Sequence, residues 1–87
     1  MSVNDIKNYI NNKVKNIFGV TPTIEFIYEN TTINATWLYY TLMVTNHKIV
    51  FFNHNMGQFN EFEINNVDEL YNVIDYIFDT INPKQKH

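Results

Sequence analysis

Apolar residues recur every three or four positions near both ends of the chain, and the spacing predicts a helix at each end. The first helix is predicted over about residues 2–18, with Ser2 as its N-cap and Gly19 closing its C-terminus. The second is predicted over about residues 66–82, where Asn66 and Glu69 form a variant of the capping box and Pro83 ends the helix. Residues 83–87 are predicted to be a short tail.

Between the helices the pattern changes to alternation or to apolar runs bounded by turn residues, which indicates strands. Strands are predicted at about residues 23–29, 36–45, 48–54 and 58–64, with residues 30–34 as a connection or a strained hairpin tip. Asn46 and His47 are predicted to form a two-residue hairpin turn. The expected fold class is therefore α+β, in the order α-β-β-β-β-α. It is a single domain over residues 1–87, with a four-stranded antiparallel meander sheet and both amphipathic helices packed on one face.

The central hairpin, residues 35–54, is apolar on both sides, although a half-buried strand normally alternates. Pairing it across Asn46–His47 separates two faces. The face expected under the helices carries Leu38, Tyr40, Leu42, Val44, Ile49 and Phe51, together with Ile24, Phe26, Tyr28, Phe62 and Ile64. The opposite, outer face is expected to carry Trp37, Tyr39, Met43, Val50, Phe52 and Phe59, with Glu61 and Glu63 as an acidic rim.

An aromatic and methionine centre with a polar rim is typical of a protein-binding surface. The outer-face residues above are therefore the predicted partner-binding site, for a second copy of the chain in a homodimer or for a host protein. One alternative is that a helix covers each face, which would make these residues ordinary core; another is that the face binds a flat small molecule. A third is that Trp37, Tyr39 and Phe52 stack on single-stranded nucleic acid.

Composition narrows these possibilities. The net charge is −3, and all six basic residues are lysines. Without arginine, which makes most bidentate phosphate and guanine contacts, nucleic-acid binding is not expected. The chain has no cysteine, and His47 and His54 are predicted to lie too far apart to share an ion, so no metal site is expected. No membrane span and no cofactor are expected either.

Catalysis is not predicted. The one serine, Ser2, is explained as a helix cap, and the two glycines are isolated, so no phosphate-binding loop is present. Glu61 and Glu63 share one side of a predicted edge strand, where there is no cleft for paired carboxylates to act across. The chain is therefore expected to be no enzyme. The alternative is a small enzyme whose site, in a deep pocket lined by Glu25, His54 and Glu63, is assembled only on dimerisation.

Fifteen asparagines and eleven isoleucines suggest an AT-rich genome, such as that of a low-GC bacterium, its phage or another mobile element. The first residues lack a charged start followed by an apolar run, so a cytoplasmic location is expected. By analogy of size and composition, the specific hypothesis is an inhibitor of a host defence nuclease, of the anti-CRISPR or anti-restriction type. A purely structural homodimeric subunit is the remaining alternative.

Overall fold

The computed structural model describes residues 2–29 and 31–84, which form two helices and one five-stranded antiparallel sheet. The elements in chain order are α1 (Val3–Phe18), β1 (Thr23–Ile27), β2 (Thr32–Trp37), β3 (Tyr40–Val44), β4 (Lys48–Asn53), β5 (Gln58–Glu63) and α2 (Val67–Ile81). Each strand pairs with the next, in the spatial order β1-β2-β3-β4-β5. The predicted α+β class and the meander are confirmed, but the predicted number of strands, four, is wrong.

The additional strand is β2. Residues 30–34 were predicted to be a connection or a strained hairpin tip, and residues 36–45 one long strand. Instead the chain forms a strand over Thr32–Trp37, reverses at Leu38 and Tyr39, and returns as β3, with Trp37 paired to Tyr40. Leu38 makes this two-residue turn with a φ of 51°, a left-handed value that leucine rarely adopts. Because the turn has no Gly, Asn or Asp, the sequence carries no ordinary turn signal there.

The first strand also ends earlier than predicted, at Ile27 rather than at residue 29. Tyr28 and Glu29 have φ values of 51° and 56°, which reverse the chain toward β2. The Thr31 backbone N–H donates to the Tyr28 carbonyl oxygen at 3.2 Å and closes this turn. Tyr28, predicted to lie in the core, is therefore an exposed turn residue.

The β3–β4 hairpin has the predicted register. Met43 pairs with Val50, and Thr41 pairs with Phe52. The Thr45 hydroxyl oxygen accepts hydrogen bonds from the backbone N–H groups of His47 at 3.1 Å and Lys48 at 3.0 Å. This side-chain bonding satisfies the turn backbone and fixes the register of the two strands.

Both helices begin at the predicted caps. The Ser2 hydroxyl accepts from the Asp5 backbone N–H at 3.3 Å, and the Asn66 side-chain oxygen accepts from the Glu69 N–H at 2.9 Å. Gly19 ends α1 with a φ of 70°, which glycine adopts without strain. Helix α2 ends at Ile81, two residues before Pro83. Of the predicted tail at 83–87, residues 85–87 lie outside the described residues.

The core lies between the helices and one face of the sheet. The buried residues of α1 and α2 form one cluster with alternate residues of β2, β3 and β4: Ile33, Ala35, Trp37, Tyr40, Leu42, Val44, Ile49 and Phe51. Both helices therefore cover the same face, as predicted, and the opposite face has no helix over it within residues 2–29 and 31–84. None of the helices among these residues is long and apolar enough to cross a membrane.

Candidate functional site: the uncovered sheet face and its aromatic end

The outer face of the sheet is defined by the strand residues that alternate with the core residues. Its members are Thr23, Glu25 and Ile27 on β1, Thr32, Asn34 and Thr36 on β2, Thr41 and Met43 on β3, Lys48, Val50 and Phe52 on β4, and Phe59, Glu61 and Glu63 on β5. The β1 and β2 half is largely polar, whereas the β3 to β5 half contains the large apolar side chains. The candidate site is therefore on the half formed by the last three strands.

Four of the six predicted partner-binding residues lie on this face and contact or pair with one another. Met43 is paired with Val50, and Phe52 is paired with Phe59, with their ring centroids 4.9 Å apart. Val50 is buried although no helix covers it, and it lies between Met43 and Glu61 in the register of the sheet. Phe59 is 53% exposed and stands at the edge of the group.

Trp37 was predicted on the outer face, and that prediction is wrong. It lies in the core with 3% of its surface exposed, and its ring stacks on Phe78 of α2 at 5.4 Å. The cause is the turn at Leu38 and Tyr39: Trp37 belongs to β2, so counting alternate positions back from β3 assigned it to the wrong side. The same turn removes Leu38 from the core, where it was predicted to lie, and leaves it 58% exposed.

Tyr39 is exposed, as predicted, but it lies in the β2–β3 turn rather than on the sheet face. Its ring packs against the ring of Tyr40, with centroids 4.6 Å apart. Burial of Tyr40, together with a hydrogen bond involving the Tyr39 hydroxyl, raises the pKa of the Tyr40 phenol to about 12. Tyr39 is therefore partly exposed at the end of the sheet, and it also packs against the buried Tyr40.

Five large side chains lie at this end of the sheet, on its last strand positions and its two turns, and we call them the end patch: Leu38, Tyr39, Phe52, Met56 and Phe59. The β2–β3 turn and the β4–β5 turn lie side by side there, since the His54 backbone N–H donates to the Tyr39 carbonyl at 2.8 Å. Met56, in the second turn, is 65% exposed. None of the five carries a charge.

Leu38 and Met56 were missed by the sequence analysis. Met56 was assigned to a turn but not considered as a contact residue, and Leu38 was assigned to the core because no turn was recognised after Trp37. A usable signal existed in the strict polar–apolar alternation of residues 32–37, which is the pattern of a separate half-buried strand.

His54 supports the aromatic part of the end patch. Its ring stacks on Phe52, with centroids 5.7 Å apart and planes 6° from parallel. Its Nε2 atom is 2.8 Å from the Thr41 hydroxyl oxygen, which fixes the orientation of the imidazole. The Phe52 ring is thereby held between His54 and Phe59 on the open face.

The charged residues of β4 and β5 on the outer face lie toward the ends of these strands that are farther from the end patch. Glu61 and Glu63 project from β5, and Lys48 on β4 is the neighbouring cation, with its Nζ 3.7 Å from the Glu61 Oε2. With Glu25 on β1, the face carries three carboxylates and one ammonium group. Glu61 and Glu63 thus lie on the outer face away from the end patch, and their role as an acidic rim stays a prediction.

Within residues 2–29 and 31–84, no group of three or more His, Asp or Glu side chains is arranged to hold a metal ion. Comparisons of the chain with protein-family models, with curated proteins and with solved structures found no match. The functional interpretation therefore depends on the physical character of the uncovered face.

Proposed function

We propose that the protein is a non-catalytic protein-binding module whose partner docks on the end patch and the adjoining outer face. The observation that carries this proposal is the clustering of large, uncharged, exposed side chains at one end of the sheet, beside an acidic rim. Aromatic and methionine residues at the centre of a contact with charged residues at its edge are the usual composition of a protein interface. Apolar groups that remain exposed together on a small domain commonly mark such a contact.

The strain at Leu38 supports the same proposal. A leucine with φ near 50° costs about 1–2 kcal/mol relative to an unstrained residue. Its side chain is more than half exposed, so burial within the folded chain does not fully offset this cost. Strained residues at exposed positions are often found where a contact or a reaction takes place. A contact that covers Leu38 would supply the missing burial energy.

The flat area of the outer face is smaller than an ordinary interface requires. Five strands about 4.8 Å apart and about 20 Å long give a flat face of roughly 500 Å². A stable contact needs about 800 Å² from each partner. The face alone falls short of this area, so the partner must also cover the turns at the end of the sheet, where Leu38, Tyr39 and Met56 are exposed.

The charges favour a basic partner over a second copy of the chain. The outer face carries Glu25, Glu61 and Glu63 against Lys48 alone. Two copies placed face to face would bring together surfaces of the same sign, which disfavours the contact, whereas a lysine- or arginine-rich surface would be complementary. The partner is therefore a protein with an apolar recess bordered by basic residues.

Proteins that act on nucleic acids present such basic surfaces, and covering one of them would block access of the nucleic acid. This consequence agrees with the hypothesis, made from size and composition, of a phage or mobile-element inhibitor of a host defence nuclease. In this role the chain itself performs no chemistry. It competes with nucleic acid for the basic surface of the enzyme.

The test is capture from the heparin-binding fraction of a low-GC bacterial lysate, which is enriched in basic nucleic-acid-binding proteins. The captured protein is then purified, and its affinity is measured by calorimetry for the wild type, for Phe59→Ser and for Tyr28→Asn. Tyr28 is an exposed tyrosine at the opposite end of the sheet, so it is the matched control. An aromatic hot-spot residue in a protein interface is typically worth about 2 kcal/mol, so we expect about 30-fold weaker binding for Phe59→Ser.

Equal affinities of Phe59→Ser and the wild type would contradict the proposal, and so would a larger loss for Tyr28→Asn. A wild type that sediments as a dimer, and becomes monomeric in Phe59→Ser, would identify a second copy as the occupant. Binding of single-stranded oligonucleotides, lost steeply with added salt and with Phe59→Ser, would replace the proposal with the nucleic-acid alternative.

A further inference from the structure

Strand β5 is an open edge of the sheet, since it follows β4 in the strand order and no described element pairs with its other side. Its register shows which backbone groups remain free. The Ile64 N–H donates to the His47 carbonyl at 2.7 Å, and antiparallel pairs alternate. The backbone groups of Phe62 and Asn60 therefore face β4, whereas those of Phe59, Glu61 and Glu63 point away from the sheet.

On the helix side of the same strand lies a groove of about 200 Å³. It runs between β5 and the last turns of α2, and its lining includes Asn60, Phe62, Tyr76, Thr80 and Ile81. Tyr76 is largely exposed and meets the Phe62 ring edge-on, with centroids 6.1 Å apart. The edge strand thus has an apolar and amide-lined recess on one side and carboxylates on the other.

We infer that the partner adds an extended segment to β5, as a sixth strand of the sheet. This inference deepens the proposed function and rests on it. Strand addition takes its affinity from main-chain hydrogen bonds and its specificity from alternate side chains. Here the free backbone groups of Phe59, Glu61 and Glu63 supply the hydrogen bonds.

The two sides of β5 specify the sequence of the added segment. Side chains opposite Glu61 and Glu63 lie on the outer face, where lysine or arginine complements the two carboxylates. The residue opposite Phe59 is apolar or aromatic, and its side chain extends the end patch. The intervening side chains stand on the helix side beside Asn60 and Phe62, next to the groove, and are apolar. The segment therefore alternates basic and apolar residues opposite Glu61 and Glu63 and has an apolar residue opposite Phe59.

A second copy of β5 does not meet this specification. An antiparallel pairing of two copies centred on Glu61 would place the two Glu61 side chains directly opposite each other, and like charges in such a pair are destabilising. Registers that separate the carboxylates shorten the pairing or place a glutamate opposite Phe59. The acidic side chains of β5 thus oppose self-pairing while leaving the edge open to a basic segment.

The probe for this inference is a synthetic nine-residue peptide in which lysine alternates with leucine, except that the position expected opposite Phe59 is also leucine. A peptide of the same composition with its lysines adjacent and a peptide with glutamate in place of lysine are the controls. Binding to the full chain is followed by amide chemical shifts and by amide hydrogen exchange at low salt. We expect saturable binding of the alternating peptide, at least tenfold weaker binding of both controls, and slowed exchange at the amides of Phe59, Glu61 and Glu63.

Two variants at one position separate the backbone from the charge. Glu61→Pro removes an N–H that points away from β4, so it leaves the internal hydrogen bonds of the sheet intact, and proline is tolerated at such edge positions. Glu61→Gln keeps the N–H and removes only the charge. We expect Glu61→Pro to weaken peptide binding at least tenfold relative to Glu61→Gln. If Glu61→Pro does not fold, the exchange of the three wild-type amides decides the question.

Absence of saturable peptide binding would overturn the inference, as would binding without slowed exchange at Glu61 and Glu63. A wild-type dimer that Glu61→Pro separates would show that a second copy pairs with β5 instead. These results are distinct from failure of the proposed function: if capture of the basic partner is lost in Phe59→Ser while the β5 amides stay unprotected in the complex, the docking surface stands and strand addition does not.

Discussion

Replacing Trp37 and Phe52 by alanine, one at a time, compares the two faces of the sheet by their contributions to the free energy of unfolding. Both side chains were predicted on the same outer face, but Trp37 is buried and stacked on Phe78, whereas Phe52 lies half-buried on the uncovered face. Deleting a fully buried tryptophan costs about 3–5 kcal/mol, because the transfer energy is lost and a cavity remains.

Two structural details determine how much unfolding free energy each variant loses. The Trp37 indole N–H is buried with no hydrogen-bond partner among the described residues, so its removal relieves a penalty of about 1 kcal/mol or more. We therefore expect Trp37→Ala to lower the free energy of unfolding by about 3 kcal/mol. Phe52 leaves no cavity when it is shortened, since water reaches its site, and about half of its transfer energy, roughly 1 kcal/mol, is lost.

The assay is urea unfolding followed by far-ultraviolet circular dichroism, because Trp37 is the only tryptophan and its fluorescence is lost in the variant. A domain of this size has a total stability of roughly 4–13 kcal/mol and a urea dependence of about 1 kcal/mol per molar. The midpoint should fall by about 3 M for Trp37→Ala and by about 1 M for Phe52→Ala. Equal shifts, or a larger shift for Phe52→Ala, would refute the assignment of the faces.

Three further outcomes follow from local structure. Leu38→Asn should raise the urea midpoint, because asparagine tolerates the left-handed φ that costs leucine about 1–2 kcal/mol, and it should weaken partner binding; a lower midpoint would contradict the strain. Burial and the hydrogen bond to Asp75 raise the pKa of Tyr9 to about 12. The unfolded chain therefore ionises first, so stability should fall between pH 10 and pH 12, less steeply in Tyr9→Phe; parallel pH curves for the two proteins would be inconsistent with this. By urea unfolding, Asn66→Ala should lower the free energy of unfolding by about 1 kcal/mol and Asn66→Asp by much less, since only aspartate keeps the cap of α2. Equal losses in the two variants would argue against capping.

Local sequence signals were sufficient to predict the two helices and the β3–β4 hairpin. Each helix has a side-chain cap at its start and an apolar stripe, and the Asn46–His47 turn fixed the pairing of β3 with β4. Since alternate residues of a strand face opposite sides, that register was enough to place Met43, Val50 and Phe52 on the outer face.

The turn at Leu38 and Tyr39 could not be predicted in the same way. Leucine at a left-handed φ is disfavoured by its own side chain, so only the tertiary pairing of Trp37 with Tyr40 reveals it. When a hairpin turn is missed, the residues before it are assigned to the wrong face of the sheet. For this reason Trp37 was predicted on the outer face although it is buried, and Leu38 was predicted in the core although it is exposed. The end patch forms because the β2–β3 turn and the β4–β5 turn are neighbours in the folded chain. The periodicity of the sequence does not predict this proximity.

The most direct measurement of the proposed contact is methyl cross-saturation in the complex with the basic partner. Leu38 and Met56 project from the end patch, while Leu42 and Leu70 lie in the core and are the internal controls. We expect saturation of the partner to attenuate the methyl signals of Leu38 and Met56 strongly and to leave those of Leu42 and Leu70 unchanged. Unattenuated Leu38 and Met56 signals in a saturated complex would contradict the end patch as the docking surface.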